Sequence, residues 1–188
     1  MAVPEGGRVE AAGRWLFERR GWLPVPLLAA MFAFRPTGWG PGLLILAAGE
    51  ALRLLAVGHI GLPSRTRAGS VGALVLSGPY AWVRNPLYLG NILLFAGLGV
   101  VLWPSVCFAV PLLAVHYQLI VRWEESNIAA RTGAPYRRYL AEVPRWLPRP
   151  PSGPTTGTWS AAKALRSERS TLIAIVAILL LLCARASV

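Results

Sequence analysis

Residues 87–123 read LYLGNILLFAGLGVVLWPSVCFAVPLLAVHYQLIVRW, a run of 37 residues with no acidic side chain and Arg122 as its only cation. As one α-helix this run would be roughly 55 Å long, far beyond a bilayer hydrocarbon core of about 30 Å. Trp103-Pro104 stands near its middle, where proline removes a backbone donor and clashes with the preceding turn. The stretch therefore predicts two antiparallel membrane spans, about 87–103 and 105–122, with Trp103 at the far interface. Such a hairpin returns the chain to the side from which it entered. Arg84 and Asn85, just before it, should then lie level with Arg122, Glu124 and Glu125, just after it.

Composition extends this reading to the whole chain. Of 188 residues, 55% are hydrophobic and only 14% charged, and the mean hydropathy is +0.51. These values describe an integral membrane protein, an all-α polytopic bundle of four to five spans. The net charge of +11 does not indicate a nucleic-acid partner, because the cations cluster between apolar runs as juxtamembrane charge does. Before the hairpin, a first span is expected over about 21–35, irregular at Pro24 and Pro26, and a second over about 41–62. The second carries Glu50 and Arg53 three residues apart, on one helical face and able to pair. Whether that pair lines a substrate cavity or is a neutralised structural pair stays open.

Arginines number four in the N-terminal segment (Arg8, Arg14, Arg19, Arg20), one in the first loop (Arg35) and three in the second (Arg65, Arg67, Arg84). The hairpin turn has none, so the positive-inside rule puts the N-terminus and both ends of the hairpin in the cytoplasm. The N-terminus carries Glu5, Glu10 and Glu18 and lacks a secretory signal pattern, so the first apolar run is expected to stay in the protein. Residues 63–83 read as a loop with room for one short helix or strand. Residues 1–150 read as one membrane core and 151–188 as a linker plus a C-terminal apolar helix. In that tail, 160–169 suggest a short polar helix and 171–184 an apolar run of about 14 residues, short for a span. Crossing, packing over the cavity and self-association are all open for it. Cys107 and Cys183 sit singly in apolar runs, and His59 and His116 are far apart in a chain without Asp, so no metal site is expected.

Two polar clusters flank the hairpin. The first, Ser77 to Gly90, reads SGPYAWVRNPLYLG: a Gly78-Pro79 turn, three aromatics (Tyr80, Trp82, Tyr88), Arg84, and Asn85-Pro86. Pro at the first helical position loses no bond and Asn before it can cap, so Asn85 is the expected N-cap of a helix starting at Pro86. The free N–H groups of that first turn suit an anionic ligand group, or the motif is simply a well-capped membrane helix. The second cluster, Trp123 to Pro148, reads WEESNIAARTGAPYRRYLAEVPRWLP. Glu124 and Glu125 open it, Gly133 and Pro135 break it, and Tyr136 and Tyr139 recur three apart on a second short helix. Alone, this is an interfacial helix with snorkelling arginines and aromatic anchors.

Together, G-P-Y-x-x-V-R-N-P-x-Y-x-G at Gly78 to Gly90 and E-E-x(7)-G-x-x-Y-x-x-Y-x-x-x-V-P at Glu124 to Pro144 resemble the membrane methyltransferases of the isoprenylcysteine carboxyl methyltransferase and phospholipid methyltransferase group. The resemblance covers about 70 residues, in matching order across a two-span hairpin. It implies S-adenosylmethionine-dependent methyl transfer at the cytoplasmic membrane face, to a small lipophilic or lipid-like acceptor that enters between helices. Carried over by matched positions, it implies that Tyr80, Arg84, Asn85, Pro86, Tyr88, Gly90, Glu124, Glu125, Tyr136 and Tyr139 border the cofactor, with Glu125 and Arg145 at the chemistry. Asn85 departs from the family's usual His; it can cap and hydrogen-bond but does not titrate near neutral pH. The implied setting is a multi-pass protein of a bacterial inner membrane, with membrane lipid as a partner and its oligomeric state unassigned.

The residues suit that chemistry. Displacement of methyl from a sulfonium needs alignment and exclusion of water, not a covalent nucleophile. Glu125 suits the donor's amino group and Arg84 its carboxylate. On this reading Glu125→Ala weakens methyl-donor binding with little loss of folded protein. A carboxylate acceptor would use Arg145 or Arg122; an amine acceptor would need a Glu or Tyr to take its proton. Two other readings stand beside this one: a non-catalytic membrane scaffold that keeps the fold, and a sterol-reductase-like enzyme, for which no glycine-rich dinucleotide fingerprint is present.

Overall fold

The computed structural model describes residues 5–22, 24–60, 76–151 and 157–187. In chain order they form α1 (Glu5–Glu18), α2 (Pro24–Met31), α3 (Trp39–Ile60), a 3-10 helix (Gly78–Ala81), α4 (Pro86–Val101), α5 (Val106–Thr132), α6 (Ala134–Glu142) and α7 (Ala161–Ala186), with no strand among the described residues. The chain is thus an all-helical membrane bundle. Most of the loop read at 63–83 lies outside the described residues, as do 152–156 of the Pro/Gly-rich linker.

The hairpin forms as its sequence dictates: α4 and α5 are joined by a turn over 102–105, with Trp103 exposed in it. The boundary at its return end differs. α5 does not stop near Arg122 but runs 27 residues, about 40 Å, to Thr132, carrying Glu124 and Glu125 on a continuous helix. Only Gly133, at φ +73°, ends it, because a left-handed residue without a Cβ lets the chain turn into α6. Among the described residues, three helices are long and apolar enough to cross a membrane: 39–59 within α3, α5, and α7. α4, at 16 residues or about 24 Å, is shorter.

The first apolar run does not make a single helix. α2 has eight residues, about 12 Å, and α1 and α2 pack in succession along α5. Ser126 donates to Glu10 at 3.0 Å, and Phe17 lies on Trp123 with ring centroids 4.8 Å apart. Farther on, Leu27 packs into the cluster of Leu113, Tyr117 and Ile120, and Met31 into a cluster with Ala109 and Leu98. The break at 19–22 precedes Pro24, whose ring disfavours a helical residue before it.

α3 and α4 cross through glycines spaced seven apart on each helix. A Cβ on Gly97 would stand 2.4 Å from Leu46 N and 2.6 Å from Gly42 O; one on Gly49 would stand 2.9 Å from Gly90 O. With lipid as solvent, helices gain by close backbone approach, and glycine permits it. The tail also differs from its reading in two pieces: 161–186 is one 26-residue helix. Ser160 accepts from Lys163 N as its N-cap, and Trp159 donates its indole N–H to Leu54 O at 3.2 Å against Gly58. At its far end Arg185 donates to Phe32 O at 2.8 Å. α7 therefore lies antiparallel to α3, with its start on the side where α4 begins.

Candidate functional site

The segment before α4 is shaped by Gly78, whose φ is +59° and whose absent Cβ would fall 2.4 Å from the His59 ring. Only glycine allows both the conformation and the contact. The 3-10 turn that follows buries Tyr80, and the chain runs on to Pro86, fully buried at the first turn of α4. The C-terminal motif straps this segment down. Arg84 N donates to Pro144 O at 2.9 Å and Arg149 N to Trp82 O at 3.0 Å; Tyr139 Oη donates to Tyr80 O at 2.8 Å. Trp146 anchors the strap to α5 by donating to Gln118 at 2.8 Å.

At the junction sits Glu125, only 6% exposed. Arg84 Nη1 lies 3.0 Å from its Oε1. Arg145 grips it in fork geometry, Nε to Oε1 at 3.2 Å and Nη2 to Oε2 at 2.6 Å, the stronger class of charge-assisted contact. The hairpin thus brings Arg84, Glu125 and Arg145 together across 20 to 41 residues of chain. Asn85 does occupy the N-cap position but does not cap: its amide donates to Arg145 O at 3.4 Å, spending its hydrogen bond on the strap.

The remaining candidates divide. Tyr136 and Tyr139 are buried with ring centroids 5.7 Å apart beside this cluster. Burial is the main reason that both stay well above the ordinary tyrosine pKa, with Glu125 also raising Tyr136 and Tyr136 raising Tyr139. Tyr80 is raised in the same way, by burial first and then by Tyr139 and Glu124. All three are neutral at any physiological pH. On the α4 side, Tyr88 packs on Tyr117 at 4.8 Å between centroids and its hydroxyl lies against Glu124. Gly90 faces α3, where a Cβ would meet Arg53 Cγ at 2.5 Å and Gly49 O at 3.0 Å; it serves the helix crossing.

Two buried polar atoms at the site have no hydrogen-bond partner among the described residues, Tyr80 Oη and Arg84 Nε. Such orphans are uncommon in folded proteins and mark places where a ligand or water completes the bonding. A cleft of about 530 Å³ between α1 and α5, lined by Arg14, Phe17, Glu18, Arg20, Trp123 and Asn127, is a different space. Trp123 and Asn127 share one face of α5, and Glu125 lies toward the opposite one.

Sequence reasoning identified Glu50 and Arg53 but not the group they join. Arg53 Nε stands 3.5 Å from Glu50. Its Nη2 stands 2.6 Å from Glu168 on α7 and donates to Thr171 at 3.2 Å, and its Nη1 donates to Asn91 on α4. An Asn inside an apolar run and a Glu at the edge of the last one were the available signals, since polar groups at membrane depth seek each other. No group of three or more metal-ligating side chains occurs among the described residues.

The fold and the site together define a helical membrane bundle in which two arginines close on one buried glutamate. Residues 42–132 match the family "Phospholipid methyltransferase". The chain is 34% identical to protein-S-isoprenylcysteine O-methyltransferase of Rattus norvegicus and to that of Mus musculus, over 57% of this chain and 40% of each relative. It is 29% identical to cobalt-zinc-cadmium resistance protein CzcN of Cupriavidus metallidurans, over 59% of this chain and 52% of that protein. The chain thus spans about half or less of the length of these relatives. No solved structure matches it.

Proposed function

We propose that the chain catalyses S-adenosylmethionine-dependent methylation of a small lipophilic or lipid-like acceptor at the cytoplasmic face of a bacterial inner membrane. In this reading residues 1–150 are the catalytic core and 151–188 an appended helix. The observation that carries it is the Arg84–Glu125–Arg145 cluster, with the orphaned Tyr80 Oη and Arg84 Nε beside it. These residues suit the methyl donor's amino-acid end: guanidinium for its carboxylate, Glu124 or Glu125 for its ammonium. Neutral tyrosine faces at Tyr88, Tyr136 and Tyr139 suit a nearby sulfonium charge.

When bound, the donor supplies an electrophilic methyl group, whose bond to sulfur breaks with its electron pair as the acceptor's lone pair forms the new bond. The chain's share is to hold both groups in line and dry. Arg145 is 28% exposed at its side chain, the most open member of the cluster, and is the residue to orient a carboxylate acceptor. For an amine acceptor, Glu124 would take the proton, since the tyrosines stay neutral.

Calorimetric titration of the detergent-purified protein with S-adenosylmethionine and S-adenosylhomocysteine tests this, with Tyr80→Phe as the informative variant. Its hydroxyl has no hydrogen-bond partner to lose among the described residues, so its melting temperature should match the parent while donor affinity falls about 5–10-fold. Folded parent protein that binds neither compound, in detergent and in nanodiscs, would return the question to the scaffold and reductase readings.

A further inference from the structure

We propose that the C-terminal helix α7 is wired into the methyl-donor site through Arg53, making Glu168 a positioning residue for Tyr88 and Glu124. The inference rests on the reading of those two residues as part of that site, but α7 lies beyond the family-matched residues 42–132. Each end of the Arg53 guanidinium is committed to a different helix. Nη2 is held on α7 by Glu168, which is fully buried, at 2.6 Å, and by Thr171 at 3.2 Å; Nη1 is held on α4 by Asn91. The guanidinium is a rigid planar fork, so displacing one nitrogen displaces the other.

From Asn91 a line of neighbouring side chains leads on, with the Tyr117–Tyr88 ring contact at its centre. The Asn91 side chain lies against the Tyr117 hydroxyl, the Tyr117 ring packs on Tyr88 at 4.8 Å, and Tyr88 lies against Glu124. Simple anchoring of α7 does not require this arrangement. The helix's apolar window is only 6% buried by protein, and a hydrophobic helix of 26 residues stays in a bilayer without an ion pair. A buried charge pair, by contrast, carries a desolvation cost of several kcal/mol per ion unless its geometry is good. Its specific yield is orientation: it fixes the rotation of α7 against α3 and α4 and, through the fork, the setting of Asn91.

All five tyrosines of the chain (Tyr80, Tyr88, Tyr117, Tyr136, Tyr139) lie at this end of the bundle. Fluorine NMR of protein labelled with 3-fluorotyrosine therefore reads the site directly, with or without ligand, each signal being assigned by its Phe variant. Glu168→Gln should shift the Tyr117 and Tyr88 signals, leave those of Tyr136 and Tyr139 in place, and weaken S-adenosylmethionine binding about fivefold. Leu182→Ala, which loosens α7 in the apolar cluster at its other end, should do neither. If Glu168→Gln folds poorly, Thr171→Val removes the lighter contact to the same nitrogen and should move the same two signals less. Tyr117 and Tyr88 signals unmoved by both polar variants, or moved equally by Leu182→Ala, would overturn the proposal. Signals that respond in a protein that does not bind S-adenosylmethionine would uphold the wiring and sink the methyl-donor reading instead.

Discussion

Glu125 is the residue whose surroundings change what a substitution means. Read in sequence it is a ligand-facing carboxylate that alanine could replace without harm to the fold. In the structure its carboxylate bridges two arginines, so Glu125→Ala removes the counter-charge they share. We expect about 3 kcal/mol of destabilisation, since breaking a buried pair from one side strands the other charge. Arg84→Ala should cost less, about 1–2 kcal/mol, because Arg145 still grips the carboxylate. Denaturation of the purified variants ranks them, and a Glu125→Ala protein as stable as the parent would contradict the clip. Tyr136 gives a pH test. Burial holds its pKa above the ordinary 10.0, so above about pH 10 the unfolded chain releases a proton that the folded one keeps. The stabilisation is whole below that pH and lost as pH rises through the folded pKa. The melting temperature should therefore fall above pH 10, less steeply in Tyr136→Phe, by up to about 1.4 kcal/mol per pH unit.

Among the elements, the α3–α4 crossing is the most demanding. Gly97→Ala would put a Cβ against the backbone of Leu46 and Gly42, which cannot rotate away, and should cost about 1–3 kcal/mol, with Gly97→Leu preventing assembly. Gly40, on the same helix α3, has open space around it, so Gly40→Ala is the matched control and should be neutral. Unfolding in detergent separates the two. The same element scale shows where periodic reading stopped short. The seven-residue glycine spacing was present in the sequence, but a lone glycine in an apolar run carries no mark of which helix it faces. The sequence reads in two pieces because 160–169 hold most of the tail's charged residues. Those residues continue the helix because Ser167 and Glu168 are buried, Glu168 against Arg53, while Arg166 and Arg169 face out.

At the scale of the whole molecule, the hairpin puts Trp103 and the Arg84–Glu125 cluster at opposite ends of the bundle. With the cluster cytoplasmic, Trp103→Cys in a cysteine-free background should react with an impermeant maleimide added outside intact cells. Arg138→Cys on exposed α6 should react only after permeabilisation; the reverse pattern would invert the topology. Composition and hydropathy alone determined that the chain lives in a bilayer, because no water-soluble fold can hide so large an apolar fraction. The length of 87–123 determined the hairpin, since one helix cannot be that long in so thin a slab, and the hairpin determined that the two motifs meet. Only the tertiary structure decided who pairs with whom: Arg145 with Glu125, Asn85 with the strap instead of the helix cap, Glu168 with Arg53 across 115 residues. In a low-dielectric interior each charge must find a partner, but that requirement does not say which one, and the choice is made by the packing distances that the glycine crossing and the strap impose.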